Sequence, residues 1–197
     1  MTYSLQEHSH RFSAWTAGRA ASVNGCRFTV EKGRKILELS GLQKVSESVE
    51  NLPSPSNFDA DHEKWRKIII RKANKLLCKE IFTHGVAAKL INVYLKSIFV
   101  CGAYYLGEKA KVIDSPKVKA IQKINAIHPP IDSVLLNELC RLNNCEREQI
   151  LEFKKAKRIR WSNLDSDQYN NLISAIKAFI PSNQGLWRIE EHWRGFQ

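Results

Sequence analysis

Apolar residues recur along this chain at steps of three and four, and nowhere do β-branched and polar residues alternate over a strand's length. That periodicity predicts an all-α protein, a multi-helix globular bundle. A first helix over residues 8–23 lines up Ala14, Ala17, Ala20 and Ala21 beside Phe12 and Trp15, so a second helix can approach it closely. The next begins at Thr29, a natural N-cap, carries Ile36, Leu37 and Leu39, and stops at Gly41. NLPSPSNFD, residues 51–59, concentrates Pro, Ser and Asn and reads as a loop. Beyond it Asp59 or Asp61 is placed to cap a long helix, with Trp65, Ile68, Ile69, Ala73, Leu76 and Leu77 as its core stripe and Lys64, Arg71, Lys75 and Lys79 opposite.

Gly85 is expected to break the chain, and a helix containing Lys89 should run on to about Leu106. Ser115-Pro116 supplies a cap followed by a residue of fixed φ, which starts a helix reaching Ile124. The turn HPPID comes next, with Asp132 as N-cap of the helix in SVLLNELCRL. Helices over 146–161 and 167–180 and a short aromatic one in GLWRIEEHWRGF complete the pattern, with no internal repeat and no low-complexity tail. Residues 1–50 are expected to form an N-terminal helical layer on a core of residues 58–197, as one compact unit or two closely packed lobes.

Charge narrows the partners. Thirty-one Lys and Arg against twenty Asp and Glu leave +11, which favours polyanions: nucleic acid first, acidic membrane surfaces second. There is no apolar run of about 18 residues, and MTYSLQEHSHRF is too polar for a signal-peptide core. A soluble cytoplasmic protein is therefore expected, nucleoid-associated if it binds DNA. Cys26, Cys78, Cys101, Cys140 and Cys145 form an odd set without a CxxC pair and read as reduced, mostly buried thiols, so neither a metal nor another cofactor is expected. The absence of a nucleotide-binding glycine loop, a Gly-x-Ser-x-Gly elbow or a paired-metal His and Asp pattern argues against several enzyme classes.

The stretch that bears chemistry is THGVAAKLINVYLK, residues 83–96. A tight turn at Gly85 would leave the first amides of the following helix, at Val86, Ala87 and Ala88, free to point at a phosphate oxygen. Glycine before a helix is commonplace, so the weight comes from pairing this stretch with HPPIDSVLLNEL further on. Together they resemble the helix-hairpin-helix DNA glycosylase superfamily, whose hairpin reads broadly Gly-Val-Gly-x-Lys-x-x-Asn-Val-x-Leu and is followed by Pro-Val-Asp at the start of another helix. Gly85-Val86, Lys89, Asn92-Val93 and Leu95 fall in register with the first motif, and Pro130-Ile131-Asp132 matches the second. Ala87 replaces the second glycine, an extra helix in SPKVKAIQKINAI lengthens the spacing, Ser133 follows Asp132 where Thr or Tyr is usual, and the iron–sulfur cysteines of one branch are absent.

The resemblance implies a DNA-binding base-excision glycosylase acting on double-stranded DNA, gripped at Gly85, Val86, Ala87 and Ala88. Lys89 would be the amine nucleophile of the bifunctional, strand-cleaving members and Asp132 the catalytic carboxylate. The chemistry is coherent. Breaking an N-glycosidic bond builds positive charge on the sugar, which a carboxylate stabilises, and an unprotonated amine attacks the anomeric carbon to give a Schiff base. Lys89 then needs a lowered pKa: desolvation among Val86, Ile91 and Val93 and the charges of Lys96 and Lys75 act in that direction, and Asp132 acts against it. A flipped base would stack on Tyr94, Trp15 or Phe12.

Further candidate DNA contacts are His84, His128 and Lys96, with Lys154, Lys155, Lys157, Arg158 and Arg160 of FKKAKRIRW. That tract also reads as a plain solvated helix face with Phe153, Ala156 and Ile159 turned to the core, and Trp187, Trp193 and Phe196 read as a hydrophobic cap. Two other functional readings fit the same composition. One is a non-catalytic DNA-binding protein with a regulatory or defence role. The other is a helical interaction domain for RNA or an acidic protein.

Overall fold

The computed structural model describes residues 3–102 and 116–195. The protein is all-α: among the described residues there is no strand, only the isolated bridge Val23–Cys26. Its helices are α1 (Leu5–Ala21), α2 (Val30–Ser40), α3 (Leu42–Val45), α4 (Phe58–Leu77), α5 (His84–Leu95), α6 (Pro116–Asn125), α7 (Ser133–Leu139), α8 (Arg147–Ile159) and α9 (Ser166–Phe179). Tighter 3₁₀ turns lie at Val49–Asn51, Trp161–Asn163 and Leu186–His192.

Local sequence explains most boundaries. Thr29, Thr83, Asp132 and Asp165 each accept a backbone N–H three residues on, which satisfies a donor that the first helical turn leaves open. Glu146 with Gln149 and Asp165 with Gln168 form reciprocal capping boxes. Gly41 ends α2 at φ 84°, where a side chain is disfavoured. α5 runs into a π-helical turn over Lys96–Val100, where the Ser97 hydroxyl donates to the Val93 carbonyl and the Cys101 amide reaches back to Lys96.

α5 is the axis of the molecule, with every residue from Gly85 to Leu95 buried. On one side α1, α2 and α4 close a cluster containing Ala14, Ala17, Ile36, Ile69, Leu90 and Ile91; on the other α7, α8 and α9 close a second one through Leu135, Leu139, Phe153, Leu172 and Ile176, which Ala88 joins. The small residues of α1 do what the sequence predicts: Ala14, Ala17 and Ala21 are fully buried in the first cluster, and α1 lies against α5 and α2. Each fully buried Leu or Ile contributes roughly 1.5–3 kcal/mol relative to exposure. That surplus is what lets α5 also bury Lys89 and Asn92.

Several expectations shift. The first helix begins earlier, at Leu5, and ends at Ala21. Neither Asp59 nor Asp61 caps α4; Asn57 precedes it, and the Asp59 carboxylate goes instead to His128 and Lys177. α4 stops at Cys78 (φ 52°), and Gly85 lies inside α5 rather than before it. The buried residues of α4 are Phe58, His62, Arg66, Ile69 and Ala73, while Trp65, Ile68, Leu76 and Leu77 are only partly covered. Of the five thiols, all free, only Cys26 is fully buried; Cys78 and Cys101 are exposed. Leu106 and Ser115 lie outside the described residues. No helix among the described residues is long and apolar enough to cross a membrane.

Candidate active site: a buried amine and carboxylate

Lys89 and Asp132 meet. Lys89 Nζ donates to Asp132 Oδ2 at 3.1 Å, with Lys89 6% exposed and the Asp132 side chain 22%. The residue that brings them together is Asn92, one turn after Lys89. Its Nδ2 donates to the Pro129 carbonyl at 2.9 Å and to the Tyr169 hydroxyl at 3.0 Å, while its Oδ1 faces His62 Nε2 at 2.8 Å. The HPPID turn is thus fastened to α5 by a buried side chain. Asp132 follows in extended backbone and starts α7, its Oδ1 accepting the Leu135 amide at 2.9 Å. Cap and ion-pair partner are the same carboxylate, one oxygen for each task.

Two indoles complete the enclosure. The Trp161 ring lies 5.5 Å from Lys89 Nζ, in cation–π range, and Trp193 Nε1 donates to Asp132 Oδ2 at 3.0 Å. The second charge pair, Lys96 with Glu190, is near enough to act on the first. Burial pulls the Lys89 amine below the ordinary lysine range; the charge and hydrogen bond of Asp132, and Glu190, oppose it, and Lys96 assists. Glu190 is pushed up, again by burial first, against the charge and hydrogen bond of Lys96. The expected desolvation of Lys89 and the contribution of Lys96 are present, whereas the expected charge of Lys75 is not among the causes. Chemically, the arrangement sets a buried amine against a carboxylate that can accept its proton.

The predicted phosphate seat is filled from within. The Gly85 amide donates to the Leu164 carbonyl at 3.0 Å, the Val86 amide to Thr83 Oγ1 at 3.1 Å and the Ala87 amide to the Thr83 carbonyl at 3.0 Å; Ala88 is buried inside the helix. Thr83 Oγ1 also donates to the Ser162 carbonyl at 2.5 Å, so residues 162–164 are tied down over the start of α5. Glycine is needed at 85 for that contact and not for an anion, since a Cβ there would stand 1.8 Å from the Trp161 carbonyl oxygen. The same close approach sets the Trp161 ring over Lys89 one turn on. Gly85→Ala is therefore expected to cost about 1–3 kcal/mol by overpacking, read as a lower denaturation midpoint, and to move the indole off Lys89.

The other candidates divide. His128 is 3% exposed and Tyr94 is fully buried, its hydroxyl held by His10 at 2.7 Å and Ser46 at 2.8 Å, so as placed neither can meet DNA. Lys96 is engaged by Glu190, and His84 is half-buried with its pKa lowered by burial. Lys154, Lys155, Lys157, Arg158 and Arg160 all lie exposed along or just after α8, with Phe153 and Ala156 buried beneath; Lys155 pairs with Glu152. Phe12 and Trp15 are on the outer face of α1, and the ring beside the amine is Trp161 instead. Trp187 is 40% exposed, bonded to Asn125, while Phe196 lies outside the described residues. No group of metal-binding type occurs among the described residues.

Sequence reasoning missed the polar core behind the pair. His62 and His128 face each other with ring centroids 4.4 Å apart, Tyr169 stacks on His62, and Arg66, wholly buried, sits 4.3 Å over the Tyr169 ring. A usable signal was present: His62, Arg66, Ile69 and Ala73 share one helical stripe.

Comparison with protein-family models, with curated proteins and with solved structures gives no match, so the functional reading rests on this geometry and on the motif resemblance.

Proposed function

We propose that this chain acts on double-stranded DNA as a base-excision glycosylase with lyase chemistry, with Lys89 as nucleophile and Asp132 as the carboxylate that accepts its proton. The observation that carries the reading is the 3.1 Å contact between a buried amine of lowered pKa and a carboxylate delivered from a distant part of the chain. In the step envisaged, neutral Nζ forms a bond to the anomeric carbon, the bond to the base breaks with its electron pair leaving on the base, which takes up a proton from solvent, and the amine proton passes to Asp132. The ring oxygen's bond to that carbon then breaks, the oxygen takes the proton back from Asp132, and the protonated Schiff base results. With the amides of Gly85, Val86 and Ala87 engaged, the duplex backbone would be held by side-chain cations, and the exposed row Lys154, Lys157, Arg158 and Arg160 is the one that fits. Access to the amine would require Trp193 and the turn before it to move aside.

Borohydride trapping on a duplex with an abasic site tests this. A covalent adduct is expected from the parent chain and none from Lys89→Ala, with duplex binding retained; Asp132→Asn should trap far more slowly. Binding without adduct or base release would favour a second reading, a non-catalytic DNA-binding scaffold. It has its own observation: Lys89 is closed in by Trp161 and Trp193, and both Asp132 oxygens are already used. Under that reading the pair is structural, and Lys89→Met lowers stability, because it leaves the largely buried Asp132 carboxylate without its cation. Affinity that stays flat between low and physiological salt would count against both.

A further inference from the structure

The outward face of α1 carries aromatic side chains that no part of the described fold covers. Phe12 is 59% and Trp15 51% exposed, their rings 6.2 Å apart and 29° from parallel. The inner face of the same helix is spent on Ala14, Ala17 and Ala21, so these rings are not core residues in waiting. Arg19 follows on the Phe12–Trp15 face, about 6 Å beyond Trp15 at 1.5 Å per residue. It opens a concavity of about 610 Å³, between the end of α1, the start of α2 and Leu77 at the end of α4.

The walls of that concavity are cationic. Arg19, Arg27 and Lys32 line it, and no lining residue is acidic. Arg19 and Lys32 have no ion pair among the described residues, and Arg27 donates only to the neutral Asn24 amide, at 2.7 Å. What sets this group apart is that its three cations line one concavity beside exposed aromatic rings. An aromatic ridge leading into a groove of unneutralised cations is the arrangement that binds bases by stacking and backbone by charge. A duplex presents its bases edge-on inside the stack and offers no ring face to such a ridge, and a planar lipid surface cannot enter the concavity.

We propose that the α1 ridge and the Arg19–Arg27–Lys32 groove form a binding site for single-stranded nucleic acid, with a base on Trp15 and the adjoining phosphates in the groove. None of the residues that line the site touches Lys89 or Asp132, and the proposal stands independently of the role of Lys89.

The test is fluorescence anisotropy with a labelled oligothymidylate. Three phosphate contacts predict a slope of log affinity on log salt of about −2, at about −0.7 per contact for a single strand. Trp15→Ala should weaken binding about tenfold, the loss of one stacked base. Combined Arg19→Gln and Lys32→Gln should flatten the slope to about −0.7, and Lys89→Ala should change neither quantity, which separates this site from the glycosylase reading. Unchanged circular dichroism and melting of the variants establish that the fold is intact. The proposal is overturned if Trp15→Ala binds like the parent, or if inorganic polyphosphate competes as well as the oligonucleotide. It is equally overturned if Trp15 proves to be covered by a second copy in sedimentation, or if only vesicles of anionic lipid are bound.

Discussion

Asn92→Ala should lower stability by about 4 kcal/mol and uncouple Asp132 from Lys89. Three buried groups converge on this side chain: His62 Nε2, the Pro129 carbonyl and the Tyr169 hydroxyl. Tyr169 retains a partner, since it lies 3.2 Å from His128 Nδ1. The other two are left without one, at roughly 2 kcal/mol each for an unpaired buried polar group. Against a total of about 5–15 kcal/mol for a domain, that loss is large. A second effect follows from position, because the Pro129 carbonyl is the point at which the HPPID turn is attached to α5. With that bond gone, Asp132 keeps its cap on α7 but loses its register with the amine. Urea denaturation measures the first effect and selective acylation of Lys89 the second. A stability change below about 1 kcal/mol with Lys89 still protected would show that the turn is held by packing alone.

The helices were legible because their signals are local. Thr29, Gly41, Asp132 and the Pro at 116 act through hydrogen bonds or φ preferences within a few residues, and the apolar steps of α8 and α9 report their buried faces directly. The meeting of Lys89 and Asp132 was legible for a different reason, the register of two short motifs, because nothing local joins residues so far apart. Gly85 shows the limit. A glycine early in a helix satisfies equally a phosphate outside or a carbonyl inside, and only the tertiary placement of Trp161 and Leu164 decides for the carbonyl.

The polar core was hidden by the very rule that found the rest. His128 reads from the sequence as a candidate DNA contact, and nothing local marks His62 or Arg66 for the interior, where isolated charge is costly to bury. They find partners for part of their polar atoms in Asn92, Tyr169, Asn170 and Asp59, four residues scattered along the chain, while Arg66 Nε and Nη1 have none among the described residues. The exposed aromatics of α1 show the converse: Phe12 and Trp15 are apolar, yet their helical phase relative to Ala14 and Ala17 turns them outward.

Acidification from pH 6.5 to 5 should destabilise the protein steeply, and the two buried histidines are the reason. Both lie wholly inside, and burial drives both pKa values below the ordinary histidine value, for His62 with the further repulsion of His128 and Arg66 and for His128 against the pull of Asp59. The hydrogen bonds fit neutral rings: His62 Nε2 donates to Asn92 Oδ1, His128 Nε2 donates to Asp59 Oδ1 at 2.9 Å, and His128 Nδ1 accepts from Tyr169. A proton on His62 Nδ1 would find no acceptor in the fold, and one on His128 would lie against a hydroxyl already turned to donate. Because the folded values are depressed, the unfolded chain binds more protons below about pH 6.5. Their contribution is complete above that point and is lost as the pH falls, at about 1.4 kcal/mol per pH unit for each ring. Over the window His62, whose value is held well below the ordinary one, would remove about 1.5 kcal/mol, and His128, lowered against the pull of Asp59, adds to that loss. Asp59 acts in the opposite sense and lower down. The hydrogen bond from His128 and the Lys177 amine hold its carboxyl well below the usual range, so its stabilisation survives through this window and fails only in stronger acid. Urea denaturation across pH 5–6.5 should show that loss, and His62→Phe, which keeps the ring stacked on Tyr169, should remove the larger part of it whatever its effect on stability at neutral pH. A slope that is flat, or unchanged by the substitution, would mean that the rings are protonated in the folded state and that the polar core is held by charge.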